Sequence, residues 1–110
     1  MKRNNTVFLS DILKSITFIE QFTKKFTEVQ FYKADMEQFA VIRNLEIIGE
    51  AARNIDDEFK RQHSGIPWRS MKALRNILIH EYFGVDLEAV WNVIQKDLPR
   101  LKKSVKACLD

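Results

Sequence analysis

The sequence predicts an all-α fold, an antiparallel up-and-down four-helix bundle with its last helix kinked or split at Pro99. Three observations predict it. Apolar residues recur at three- and four-residue steps along most of the chain, the mark of amphipathic helices. Only 3 Gly and 2 Pro occur in 110 residues, too few to punctuate an all-β domain. The stretches between periodic segments are short, which favours antiparallel neighbours. Residues 1–110 suit a single domain, with no internal repeat, linker or low-complexity tract.

The first helix is expected from about Thr6, a plausible N-cap, to Phe26. Its apolar face is Phe8, Ile12, Ile16, Ile19, Phe22 and Phe26. The second starts near Asp35, another N-cap candidate, and carries Phe39, Ile42, Leu45, Ile48, Ala52, Ile55 and Phe59, the strongest periodic signal in the chain. Lys60 to Gly65 reads as a polar connection. Pro67 fits the first turn of the third helix, where its missing N–H costs nothing. Trp68, Met71, Leu74 and Leu78 form that helix's apolar side. Gly84 is placed to end it, and Asp86 to cap the fourth. The fourth holds Leu87, Val90, Trp91, Ile94, Leu98, Leu101 and Val105, with Pro99 inside the pattern.

With 45% hydrophobic and 30% charged residues, the composition excludes disordered and collagen-like chains. Cys108 is the sole cysteine. It permits no intramolecular disulfide and no cysteine metal cluster, and it points to a reducing, cytoplasmic compartment. The N-terminal stretch breaks at Ser10-Asp11 before a signal-peptide core can form, and no apolar run nears the ~20 residues that span a bilayer. A soluble protein without a membrane partner is therefore expected. A core this small gains stability from oligomerisation.

Net charge is only +3, but its distribution is uneven. No acidic residue falls between Glu58 and Glu81, whereas Lys60, Arg61, Arg69, Lys72 and Arg75 do, together with His63 and His80. Such a stretch suits an RNA or phosphate contact, with Arg69 and Lys72 as candidate RNA-phosphate contacts; a merely solvated helix face is the alternative.

Within that window, Arg75-Asn76-Ile77-Leu78-Ile79-His80-Glu81-Tyr82 gathers an arginine, an amide, a histidine and a phenol. On a helix, Asn76 and His80 share a face. Arg75 and His80 diverge by roughly 140° and rise about 7.5 Å, so a single copy offers a loose cluster and two facing copies a denser one. These side chains suit phosphodiester cleavage without metal or cofactor. Histidine shuttles protons near neutral pH. Arginine grips a phosphate and offsets charge developing on it. RNA supplies its own 2′-hydroxyl nucleophile. On residue types alone, a structural hydrogen-bonding role for His80 stays open.

The stretch resembles the Arg-x4-His-x-Tyr motif of the HEPN superfamily, and more narrowly the HepT-like toxins paired with a minimal nucleotidyltransferase antitoxin. The resemblance extends to Val41-Ile42-Arg43-Asn44-Leu45-Glu46-Ile47-Ile48-Gly49-Glu50-Ala51-Ala52, Ile66-Pro67-Trp68, Val85-Asp86-Leu87, Val90-Trp91 and Asp97-Leu98-Pro99-Arg100-Leu101. It implies the toxin of a type II HEPN/minimal-nucleotidyltransferase toxin–antitoxin pair. That protein is a homodimeric, metal-independent endoribonuclease, with Arg75 and His80 as the catalytic pair and Asn76 as the supporting polar residue. Tyr82 corresponds to the tyrosine to which the partner transfers AMP, silencing the toxin. A non-catalytic RNA- or nucleotide-binding module, partnering a nucleotidyltransferase, is the competing reading.

Outside the motif, Arg43, Glu46 and Glu50 read as a salt-bridged helical stripe. Gly49 in mid-helix implies close helix packing, and Trp68 and Trp91 read as core anchors rather than base platforms. His63 reads as loop-borne and solvated.

Overall fold

A computed structural model describes residues 4–71, 74 and 86–109. All regular structure among them is helical. In chain order the named helices are α1 (Asn5–Thr23), α2 (Glu28–Tyr32), α3 (Asp35–Asn54), α4 (Asp57–Gln62), α5 (Leu87–Asn92), a π-helical turn (Val93–Asp97) and α6 (Leu98–Leu109). Residues 68–71 and 74 are helical as well. The protein is an all-α helical bundle.

The bundle forms around the α1–α3 pair, the largest helix contact among the described elements. Ile12, Ile16 and Ile19 of α1 and Val41 and Ile48 of α3 are fully shielded from water, with Leu45 nearly so. Their three- and four-residue spacing puts each set on one stripe. Each such side chain contributes on the order of 1.5–3 kcal/mol by leaving water. Val90, Leu98, Leu101 and Val105 extend the same core from the C-terminal helices. Lys102 Nζ reaches Glu20 Oε1 at 2.8 Å, tying α6 to α1.

Local chemistry sets boundaries that periodicity alone misplaces. Asn4, not Thr6, caps α1, its side chain accepting from the Thr6 N–H. The helix ends at Thr23, whose buried hydroxyl donates back to the Ile19 carbonyl at 2.8 Å, a bond that competes with helix propagation. Thr27 then starts α2 with a capping box. Its hydroxyl accepts from the Gln30 N–H at 3.2 Å, and the Gln30 side chain accepts from the Thr27 N–H at 2.9 Å. Phe31 of this short helix is fully buried, its ring 5.4 Å from that of Trp91. Tyr32 donates to Glu28 at 2.6 Å, and that bond pushes its phenol up to about 12.

The long second periodic stretch divides. Asp35 is the first residue of α3 rather than its cap, which is Ala34. The helix stops at Asn54, Ile55 turns extended with ψ 138°, and α4 begins at Asp57 and takes in the start of the span expected to be a polar connection. Asn54 bonds its own helix through the Glu50 carbonyl, and the Asp56 N–H donates to Asn5 Oδ1 at 3.2 Å. Arg53 in the last turn of α3 and Asp57 and Glu58 in the first turn of α4 complement both helix dipoles. Ile55 remains buried and Phe59 half-buried, so the apolar rhythm survives the break. Phe39 and Phe22, expected on inward faces, are 73% and 40% exposed.

Asp86 caps α5 as expected, accepting from the Ala89 N–H at 3.1 Å. Pro99 does not divide the C-terminal segment. Helical backbone runs through it from Leu87 to Leu109. The irregularity that proline demands is the π turn just before it, where the Leu98 N–H donates to the Val93 carbonyl, five residues back. Widening the turn relieves the crowding between the ring and the preceding carbonyls. Gly84, the expected terminator of the third helix, lies outside the described residues, as does Leu78.

Thr27→Ala removes one half of the α2 capping box. It should lower unfolding stability by about 1 kcal/mol in a urea titration, with the slope of the transition unchanged.

Candidate functional site

Arg75, Asn76, His80 and Tyr82 lie outside the described residues, and so does Lys72. Their anchor is described. Leu74, immediately before Arg75, is 5% exposed and sits beside Val93, Leu98 and Leu101. Leu74 is thus where the described part of the third helical segment meets the C-terminal helices.

Arg69 is exposed and lines a groove of 560 Å³ together with Arg53, Asp57, Lys60 and Trp68, above a floor that includes Gly49 and Ala52. The last turn of α3 supplies Arg53, α4 supplies Asp57 and Lys60, and residues 68–71 supply Trp68 and Arg69. Among the described lining residues, three cations thus face one carboxylate. None of the three cations makes an ion pair with another described residue. The turn at Ile55 is what brings α4 round beside the end of α3.

The corner below the groove is aromatic. The rings of Phe59 and His63 stack at 4.1 Å, and Phe59 meets Trp68 edge-on at 6.4 Å. His63 is half-buried and closes α4, its Nδ1 3.0 Å from the Phe59 carbonyl oxygen, so it is not the solvated loop residue expected. The His63 carbonyl in turn accepts from Trp68 Nε1 at 3.1 Å. Trp68 and Trp91 both pack against the core, as their spacing predicts. Trp68 has a second aspect, because Lys60 Nζ lies 5.9 Å from its ring centre and the ring borders the groove.

The charged stripe of α3 is the local feature its spacing predicts. Arg43 Nη1 and Glu46 Oε2 are 3.2 Å apart on the surface, a pair that contributes about 0.3–0.5 kcal/mol. Both line a smaller cleft of 230 Å³ between α1 and α3, with Asp11 and Glu50. Gly49 is buried and lines the groove.

Sequence reasoning missed Arg53. It precedes Arg69 by sixteen residues and lies outside the acid-free window, so only the fold joins them. Its one local signal is its place in the last turn of α3. Among the described residues, no three His, Cys, Asp or Glu side chains are grouped to hold a metal ion. None of the described helices is long and apolar enough to cross a membrane. Burial pushes the Cys108 thiol up, away from the reactive thiolate.

Comparison with known proteins adds a further finding. The model of a family described as "Ribonuclease HepT-like" matches residues 12–108. The chain is 49% identical to a protein of Thermococcus cleftensis named "Probable ribonuclease HepT", covering 93% of each. It is 45% identical to a Methanocaldococcus jannaschii protein named "Putative RNase", covering 96% of each. A second protein of that organism, named "Gamma-glutamylcyclotransferase and putative RNase", is 45% identical over 96% of this chain and 47% of its own length. No solved structure matches the chain.

Trp68→Phe keeps a ring in the aromatic corner and removes the donor to the His63 carbonyl. It should cost about 1 kcal/mol of unfolding stability by urea denaturation, the net value of one such bond.

Proposed function

The chain belongs to the HepT-like ribonuclease family, and from that premise we propose that it is a metal-independent endoribonuclease acting as the toxin of a toxin–antitoxin pair. The observation that carries the reading is Arg75-x4-His80-x-Tyr82, intact within the matched residues 12–108. His80 moves the proton between the 2′-hydroxyl and the leaving oxygen. Arg75 holds the scissile phosphate and offsets the charge that develops on it. Asn76, which falls on the His80 face of a helix, steadies the phosphate or the imidazole. The products are a 2′,3′-cyclic phosphate and a 5′-hydroxyl, which requires neither water nor metal in the first step.

The working unit on this reading is a cytoplasmic homodimer, in which two loose clusters make one denser site. Exposed Phe18, Phe22, Met36 and Phe39 on α1 and α3 give a second copy apolar surface to cover. The partner is a minimal nucleotidyltransferase that adds AMP to Tyr82. A phosphodiester there brings negative charge near Arg75 and bulk into the path of RNA, so inhibition needs no change of fold.

Cleavage of a single-stranded RNA should persist in EDTA. His80→Ala should slow it about 10²–10⁴-fold, and Arg75→Ala comparably, with both variants folded by circular dichroism. Loss of activity in EDTA, or wild-type rates in both variants, would overturn the mechanism. Saturable RNA binding with no cyclic-phosphate product from the unmodified wild type would favour a non-catalytic binding module.

Incubation with the cognate nucleotidyltransferase and ATP should place one adenylyl group on Tyr82 by mass spectrometry, with cleavage lost in parallel. Tyr82→Phe should take no adduct there. An unmodified Tyr82 in a fully inhibited complex would instead mean occlusion by the partner.

A further inference from the structure

The described lining of the groove between the end of α3, α4 and residues 68–71 consists of residues other than those of the Arg-x4-His motif, and its cations pair with no carboxylate among the described residues. Arg53 and Lys60 have local reasons to be where they are, since each occupies the last turn of its own helix. Arg69 has the opposite setting. It falls in the first helical turn after Pro67, where the helix dipole disfavours a cation. Among the described residues, three cations around one carboxylate form a surface that repels itself until an anion arrives.

The volume and the aromatic wall narrow the kind of anion. At 560 Å³ the groove is far larger than one phosphate needs and falls in the range of organic ligand sites. Trp68 borders it, with Lys60 Nζ 5.9 Å from its ring centre. A phosphate attracts an ammonium more strongly than an indole quadrupole does, so an arriving phosphate draws Lys60 off the ring and leaves indole surface for a base. A basic groove with an aromatic platform is the pairing that single strands exploit.

We propose that this groove seats a stretch of the single-stranded RNA substrate, with Arg53, Lys60 and Arg69 meeting successive phosphates and Trp68 receiving a base. The proposal rests on the ribonuclease reading for the identity of the strand, and it assigns residues that the motif does not contain. Arg69 precedes Arg75 by six residues in the sequence, and Leu74, five residues beyond Arg69, is seated against Val93, Leu98 and Leu101. Among the described lining residues, Asp57 is the one that opposes a phosphate.

Binding is measured with a fluorescein-labelled oligouridine in the His80→Ala background, where the strand survives, and cleavage in the wild-type background. Arg53→Ala/Lys60→Ala/Arg69→Ala should weaken binding roughly 10²-fold and flatten the dependence of log affinity on log salt by about 2. Cleavage should fall through KM, with kcat kept within about threefold. Removing the same charge outside the groove, as Lys96→Ala/Lys103→Ala/Lys106→Ala, should change affinity less than about threefold. Asp57→Asn should tighten binding about two- to threefold. Oligouridine should quench tryptophan emission, and Trp68→Phe should abolish the quench. An unchanged salt slope and affinity in the groove triple variant would overturn the proposal, and so would equal losses in the two triple variants. Failure of the wild type to cut any RNA, with groove-dependent binding intact, would overturn the ribonuclease reading and leave this one standing.

Discussion

The α1–α3 seam is the contact on which the rest of the molecule depends. Ile12, Ile16 and Ile19 against Val41, Leu45 and Ile48 give a dry strip along two long helices. Neither helix would hold its length in water on propensity alone. α2 packs on α3 and α6 on α1. The short α2 folds back onto α3 through Phe31, and the C-terminal helices close the other side through Val90, Leu98, Leu101 and Val105. Because the seam is antiparallel, the end of α3 returns to the start of α1, where Asn5 accepts from the Asp56 N–H. That bond pins the corner from which α4 departs. The groove is a consequence of this corner, since α4 stands beside α3 only because the chain turns at Ile55.

The second half of the core is built around an awkward residue. Pro99 lies between Leu98 and Leu101, both nearly fully buried, so the helix cannot bend away there without exposing them. A π turn keeps the apolar face of α6 in register with Val93 and Ile94 while giving the proline ring room. The same strip of Val93, Leu98 and Leu101 receives Leu74. The residue that precedes the motif arginine is thus seated on the most irregular part of the C-terminal helix. Side chains that must hold a phosphate need such an anchor, because a loosely held arginine would spend its interaction on ordering itself.

Sequence periodicity is a good guide to which residues are buried and a poor guide to where helices stop. It identified the α1 and α3 core stripes, because burial of those stripes is what stabilises the helices. It read straight through Asn54-Ile55-Asp56-Asp57, because Ile55 and Phe59 keep their apolar positions after the backbone has left the helix. The signals that end helices are polar and local: the Thr23 hydroxyl, the Thr27–Gln30 capping box, the Asn54 amide. Each is a side-chain oxygen or amide competing for backbone groups, which an apolar count ignores. Phe22 and Phe39 fail in the opposite direction. They hold the right spacing but lie at the margin of the stripe, where one chain alone has nothing to cover them.

For the candidate site the division is different. The motif side chains suggest their chemistry from sequence because they lie within eight residues of one another, and they fall outside the described residues. The groove was not legible, because Arg53, Lys60 and Arg69 come from three separate segments. The proposed cleavage without a metal places a particular demand on the protein. The negative charge of the substrate, and the further charge of its transition state, must then be met by side chains alone. On that proposal, Arg75 meets the second part of the demand. The first part, holding a polyanionic strand in place, calls for several cations spread over nucleotide spacings. An acid-free window in the sequence supplies two of them, Lys60 of α4 and Arg69 of residues 68–71. The turn at Ile55 adds one from α3 that no window contains, and the fold thereby extends the positive surface from two helical segments to three.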